Sequence, residues 1–242
     1  MSAPKLLRLI LSLCAIASLT AQESSTHNDE KREAKGRVAR FICSNLPNGI
    51  ENPVTVSMGE ELTEVVISKY SVSVPVKISA DGMVKIVRKI PNTEDPKKPK
   101  FLTLAQTTIP ESVSDALIIL VPTKNNPQGL LFQSKVQDLA SHKAGETMFL
   151  NLTNFKIGVE LGTNKIALDP GNVKAINPLA GAKVASLPIS VHYYDPAKKE
   201  WVRITASTVG LYANRREFCI FLWDSEFERI DYESVTVPFL EK

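Results

Sequence analysis

The chain is predicted to be all-β: two tandem antiparallel β-sandwich units behind a cleaved signal peptide. Three observations predict it. From Val38 onward, apolar and polar residues alternate with a period of two, the pattern of half-buried strands. Clusters of Gly, Pro, Asn and Asp interrupt that pattern at the spacing found in sandwiches and barrels, giving about a dozen or more short strands. No stretch alternates a strand with a long helix, as a parallel α/β sheet would require.

The first residues carry an export signal. Lys5 and Arg8 form a short basic start, Leu9 to Leu19 is almost wholly apolar, and small residues follow. Cleavage is expected after Ala17, where Ala15-Ile16-Ala17 fits the small-x-small rule, or after Ala21, so residues 1–21 are assigned to the signal peptide. Its apolar run is shorter than the roughly 20 residues a membrane-spanning helix needs. No later stretch is long and apolar enough, so no membrane span is expected after cleavage and the mature chain is expected to be extracytoplasmic, periplasmic or secreted. Losing Lys5 and Arg8 takes the formal charge from +3 to +1. With that small charge and no dense Lys/Arg stripe, the chain has no electrostatic footprint for nucleic acid.

Residues 22–37 are polar and charged without apolar periodicity, which predicts a flexible leader. Val72, Val74 and Val76 alternate with polar residues as a half-buried edge strand, and Asp81-Gly82 followed by Val84 and Ile86 reads as a hairpin. The proline-rich, charged segment 91–100 is a loop, and Phe101 to Ile109 a strand. Ala116 to Val121 is continuously apolar, which suits a central strand covered on both faces. The turn at residues 125–129 leads into a strand ending near Val136, then a single helical turn before Gly145.

A second β-rich stretch begins at Met148. Ile157, Val159 and Leu161 alternate up to the Gly162 turn, and Ile166 to Leu168 ends at Asp169-Pro170-Gly171. Ile189, Val191 and Tyr193 point one way, Ser190, His192 and Tyr194 the other. Trp201 to Ile204 returns as the partner strand of a hairpin, and strands at Glu217 to Trp223 and Val235 to Phe239 close the chain. A division near Ala144 gives units 38–143 and 144–242, each about 100 residues, the size of an immunoglobulin-like sandwich. Phe41, Val54, Val56 and Gly59 are echoed by Phe149, Ile157, Val159 and Gly162, a similarity too short by itself to establish a duplication.

Candidate chemistry is sparse. Two cysteines remain after the signal peptide, Cys43 and Cys219, each in an apolar strand-like run. Either they form a disulfide, as an even count in an oxidising compartment suggests, or they are separate small core residues. His27, His142 and His192 are widely separated, and Cys219 has no His near it, so no metal site is expected and no cofactor is implied. No G-x-S-x-G elbow is present, and Ser190 and His192 simply share a strand face. Asp224, Glu226, Glu228, Asp231 and Glu233 provide carboxylates that suit a hydrolase or, more plainly, a solvated rim. Asn151-Leu152-Thr153 is a glycosylation sequon inside an apolar strand. The polar side of the 189–204 hairpin, with His192, Tyr194 and Lys198, is the best candidate recognition surface.

The run Phe149-Leu150-Asn151-Leu152-Thr153, then Ile157, Val159 and Gly162, then Leu168 and Pro170-Gly171, resembles uncharacterised exported bacterial β-sandwich proteins. It is also similar to the periplasmic alginate acetylation accessory family, over about residues 115–242. The resemblance implies a non-catalytic envelope role and transfers no site residues. The expectation is a structural or interaction protein of the bacterial cell envelope, not an enzyme, whose partner is an envelope protein or polysaccharide. The alternative is a secreted carbohydrate-active or other hydrolytic enzyme using the C-terminal carboxylates.

Overall fold

The computed structural model describes residues 36–123, 126–224 and 227–238. The expected signal peptide, the expected leader up to residue 35, Glu226 and Phe239 lie outside the described residues. The described chain is all-β, with no helix. Among the described residues no helix is therefore long and apolar enough to cross a membrane.

The chain follows the same path twice. The first pass runs through β1 (Val38–Cys43), β2 (Val54–Met58), β3 (Glu61–Val65), β4 (Val76–Lys77), β5 (Met83–Ile90), β6 (Lys100–Thr108), β7 (Asp115–Pro122) and β8 (Phe132–Asp138). The second runs through β9 (Thr147–Asn151), β10 (Ile157–Leu161), β11 (Asn164–Leu168), β12 (Val173–Ile176), β13 (Val184–Asp195), β14 (Glu200–Tyr212), β15 (Arg215–Asp224) and β16 (Arg229–Pro238). Sheet orders β4-β1-β7-β8 and β3-β2-β5-β6 in the first copy recur as β12-β9-β15-β16 and β11-β10-β13-β14 in the second. Pairing is antiparallel except for β1 with β7 and β9 with β15, which are parallel in both copies.

Even an irregularity is repeated. The β5–β6 ladder shifts register between Ile86 and Val87, leaving Leu104 as the extra residue, and the β13–β14 ladder shifts between Val191 and His192, leaving Ile204. A bulge at the same place in both copies is a designed bend of the strand. The short sequence echo therefore marks a duplicated fold: Phe41 and Phe149 are both fully buried, and Gly59 and Gly162 both take positive φ in the tight turn after β2 and β10.

Three cores hold the strands. Phe41, Val56, Ile86 and Ile118 belong to the core between the two sheets of the first copy, and Phe149, Val159, Val191 and Phe221 to that of the second. A third core joins the copies, with Ile42, Leu117 and Ile119 from the first against Leu150, Phe218 and Ile220 from the second. These come from equivalent positions of the two copies, so the contact is built like an isologous dimer interface within one chain. It also explains the continuous apolar runs. Alternate residues of β7 serve the first core and the third, and those of β15 serve the second and the third.

Several local expectations are corrected. Val72, Val74 and Val76 do not share a buried face: Val74 is 68% exposed while Ser73 is 8% exposed. Ser73 donates its backbone N–H to Phe41 O (2.9 Å), and its Oγ accepts from Phe41 N (2.9 Å). A hydroxyl in the place of a ladder carbonyl breaks the alternation, and only Val76 and Lys77 pair with β1. Asp81-Gly82 is a turn but not a hairpin, because β4 and β5 belong to facing sheets. No helical turn precedes Gly145; Asp138 Oδ1 instead caps a turn by accepting from Ala140 N (2.9 Å). Strand β12 escapes the sequence pattern because it is an edge strand with Val173, Lys174 and Ala175 all exposed.

Candidate functional site

Strands β11, β10, β13 and β14, in that order, present an outer face to solvent, and the hairpin β13–β14 forms one side of it. Cross-strand register fixes which side chains meet there. His192 stands between Gly158 on β10 and Arg203 on β14, and Tyr194 is opposite Trp201. Tyr194 and Trp201 pack edge to face with centroids 5.6 Å apart. The six-membered ring of Trp201 covers Gly158, its nearest carbon 3.1 Å from where a Cβ would stand. Glycine there lets the indole lie close against the strand; a Cβ would push the ring out by a few tenths of an ångström. Trp201 nevertheless remains 48% exposed, so one part of the ring is seated on the sheet and the rest faces water.

A polar fringe borders the aromatics. Lys165 Nζ sits 3.0 Å from Glu160 Oε1, and Ser190 Oγ donates to Glu160 Oε2 at 3.5 Å. The hydrogen bond and charge of Lys165 hold the Glu160 carboxyl below its ordinary range. The face thus offers a carboxylate, an ammonium, a hydroxyl and an imidazole around an indole and a phenol. Such a surface can stack a flat or ring-shaped ligand and hydrogen-bond its edge.

Of the residues expected at this surface, His192 and Tyr194 lie on the face itself. Lys198 lies in the β13–β14 turn, its Nζ 3.6 Å from Asp195 Oδ2. In the sequence pattern Trp201 is only the start of a strand, and Gly158 falls between the alternating Ile157 and Val159. A glycine inside an alternating strand is the signal that was available, but its partner is set by pairing across three strands. No protein-family model matches the chain, and no curated protein matches it.

The other candidates are dispersed by the fold. Cys43 and Cys219 are both free and buried, one in the first core and one in the second. The third core separates the sheets that carry them, and packed sheets stand about 10 Å apart, beyond the roughly 7 Å of Cα separation a disulfide tolerates. The bridge expected as one option therefore does not form. Burial pushes each thiol up to about 12, which leaves little thiolate to react.

Asn151 is fully buried, and its amide is consumed within the fold. Its Nδ2 donates to Phe155 O (2.7 Å) and Leu168 O (3.2 Å), while Oδ1 accepts from Thr153 N (3.0 Å) and Thr153 Oγ1 (2.8 Å). The sequon is a structural clamp on the β9–β10 connection. His142 is 1% exposed and packs edge to face on Phe218 with centroids 4.6 Å apart. Among the described residues no group of three or more His, Cys, Asp or Glu is placed to hold a metal ion.

The C-terminal carboxylates separate along a hairpin. Asp224 and Glu228 sit at its tip, where Asp224 Oδ1 accepts from Phe227 N (3.2 Å) and Glu228 has a φ of 47°. Asp231 and Glu233 lie further along β16 and line a cavity of about 180 Å³ with Lys69 and Tyr70 of the first copy. Burial, opposed by Lys69 and reinforced by Asp231, raises the Glu233 carboxyl to about 7.

Proposed function

We propose that the protein is a non-catalytic, exported component of the bacterial cell envelope that binds an envelope polysaccharide through the outer face of β10–β13–β14. The observation that carries this reading is Trp201, seated on Gly158 and braced by Tyr194 while 48% exposed. An indole held against the sheet by Gly158 and Tyr194 with its other part in water can serve as a stacking platform for the C–H face of a sugar ring. Glu160, Lys165, Ser190 and His192 supply hydrogen bonds to hydroxyls at its border, and Lys198 in the adjoining turn adds a cation. The basic start at Lys5 and Arg8 and the apolar run Leu9 to Leu19 support export.

Affinity electrophoresis of the mature chain through gels containing alginate, with peptidoglycan sacculi as a sedimentation probe, tests the reading. Retardation or co-sedimentation is expected. Trp201→Ala should weaken it about 30-fold, the loss of roughly 2 kcal/mol typical of an aromatic anchor. Equal migration of wild type and variant on every probe would sink the idea. The hydrolytic alternative is distinguished by replacing Asp224, Glu226 and Glu228 together with their amides. Loss of a measured saccharide turnover in that variant would favour catalysis over binding.

A further inference from the structure

The duplication allows each interior position of the second sandwich to be compared with its equivalent in the first. Aligning the parallel pairs, Ala39 with Ala116 and Thr147 with Glu217, superposes the registers of β1–β7 and β9–β15. The antiparallel pairs then place Val136 against Ser234, because Ile118 faces Val136 and Cys219 faces Ser234. In the first copy these positions are apolar: Ala39 and Ala116 are fully buried in the core, and Val136 packs against it. In the second copy they are Thr147, Glu217 and Ser234, and they line a cavity of about 240 Å³.

The flank of the sandwich differs as well. In the first copy Leu131 N donates to Leu104 O (2.8 Å), tying the β7–β8 hairpin to β6, and Phe132 seals the core at 1% exposure. In the second copy the corresponding strands β14 and β16, edges of their sheets just as β6 and β8 are, have the cavity between them. Thr147 is 2% exposed, yet among the described residues its Oγ1 has no hydrogen-bond partner. Leaving a buried hydroxyl unpaired is costly, and the cost is met where a ligand hydroxyl pairs with it.

We propose that this cavity is a binding site for a small uncharged polyol of about monosaccharide size, a site the first copy has lost or never had. The lining chooses the chemistry. Glu217 accepts, and its Oε2 already takes a hydrogen bond from Thr236 Oγ1 at 2.7 Å; Arg215, which also lines the cavity, can donate. Their opposite charges offset one another, so the lining carries no net charge that would favour an ion. The hydroxyls of Thr147 and Ser234 both give and take, which suits a ligand whose own hydroxyls do the same. Leu161 and Ile189 form the apolar wall for its C–H face. Burial holds the Glu217 carboxyl above its ordinary range, against the hydrogen bond from Thr236 and the charge of Arg215. This site is separate from the Trp201 face and stands without it.

Saturation-transfer NMR on the mature chain, with glycerol, D-glucose, D-galactose and N-acetyl-D-glucosamine as probes, decides the matter. A Trp201→Ala background removes any saccharide held on the outer face. At least one probe is expected to bind. Thr147→Ala with Glu217→Ala, which installs the first copy's residues, should weaken that binding at least 10-fold and raise the melting midpoint by a few degrees. Ser234→Val, on an exposed edge where folding is safe, should also weaken it. The proposal is overturned if none of the four probes binds, or if Ser234→Val binds as well as its parent. A double variant that melts lower than its parent also overturns it, since Thr147 and Glu217 would then serve the core alone.

Discussion

Glu233 shows how a single side chain can work against the contact it sits in. It lies on the same side of β16 as Val235 and Val237, which belong to the third core, at the margin where Lys69 and Tyr70 close over it. Burial and the neighbouring Asp231 raise its carboxyl from 4.5 to about 7 although Lys69 pulls the other way. A raised carboxyl pKa means the folded state keeps its proton longer than the unfolded chain. Its stabilising contribution is complete below about pH 4.5 and is lost as pH rises through about 7. Glu233→Gln should therefore stabilise the protein by about 1 kcal/mol at pH 8, a figure discounted for partial exposure, and leave stability at pH 4 unchanged. Urea midpoints at the two pH values check this. Nothing in the alternation of β16 distinguishes Glu233 from a solvated carboxylate, because its burial comes from a loop more than 160 residues earlier in the chain.

At the scale of elements, the turn at Asp81-Gly82 was legible and its destination was not. Ser79 Oγ donates to Asp81 Oδ1 (2.6 Å), and Met83 N donates to the same oxygen (3.0 Å), the local chemistry that makes Asp-Gly a turn. Whether the turn folds the strand back or lifts it into the facing sheet depends on partners far along the chain. The crossing is tight. Gly82 has a φ of 67°, and a Cβ there would stand 2.5 Å from Ile109 O. Gly82→Ala should cost about 3 kcal/mol, combining a left-handed backbone with a clash against main chain that cannot move. Gly129 has a φ of 72° with nothing within 4 Å, so Gly129→Ala should cost only about 1 kcal/mol. Denaturant melts of the two variants side by side separate strain from steric clash.

The whole molecule is tied together by its third core. Leu117 and Ile119 of β7 and Phe218 and Ile220 of β15 bury one face there, while the opposite faces of the same strands serve the core of their own copy. Loosening the third core must therefore disturb both of the others. Phe218→Ala should cost about 3–5 kcal/mol. Trp201 and Trp223 both belong to the second copy, so tryptophan fluorescence follows that copy while far-UV circular dichroism follows both. The two signals are expected to give one coincident transition, in wild type and in Phe218→Ala alike. Two separated transitions would show that the copies fold independently of their shared interface.

By itself the sequence determined the β class, the position of most strands and the turns between them, since alternation and turn chemistry act over a few residues. Ala116 to Val121 was even recognisable as covered on both faces. Tertiary structure alone decided which sheet each strand joins, the parallel pairing of β1 with β7, the parting of Cys43 and Cys219 into different cores, and the meeting of Trp201 with Gly158. It also decided that Thr147, Glu217 and Ser234 converge where Ala39, Ala116 and Val136 close the other copy. These depend on contacts between distant segments, and a core position accepts any apolar side chain of suitable volume. Duplication therefore leaves its mark on strand order and register long after it has faded from the letters of the sequence.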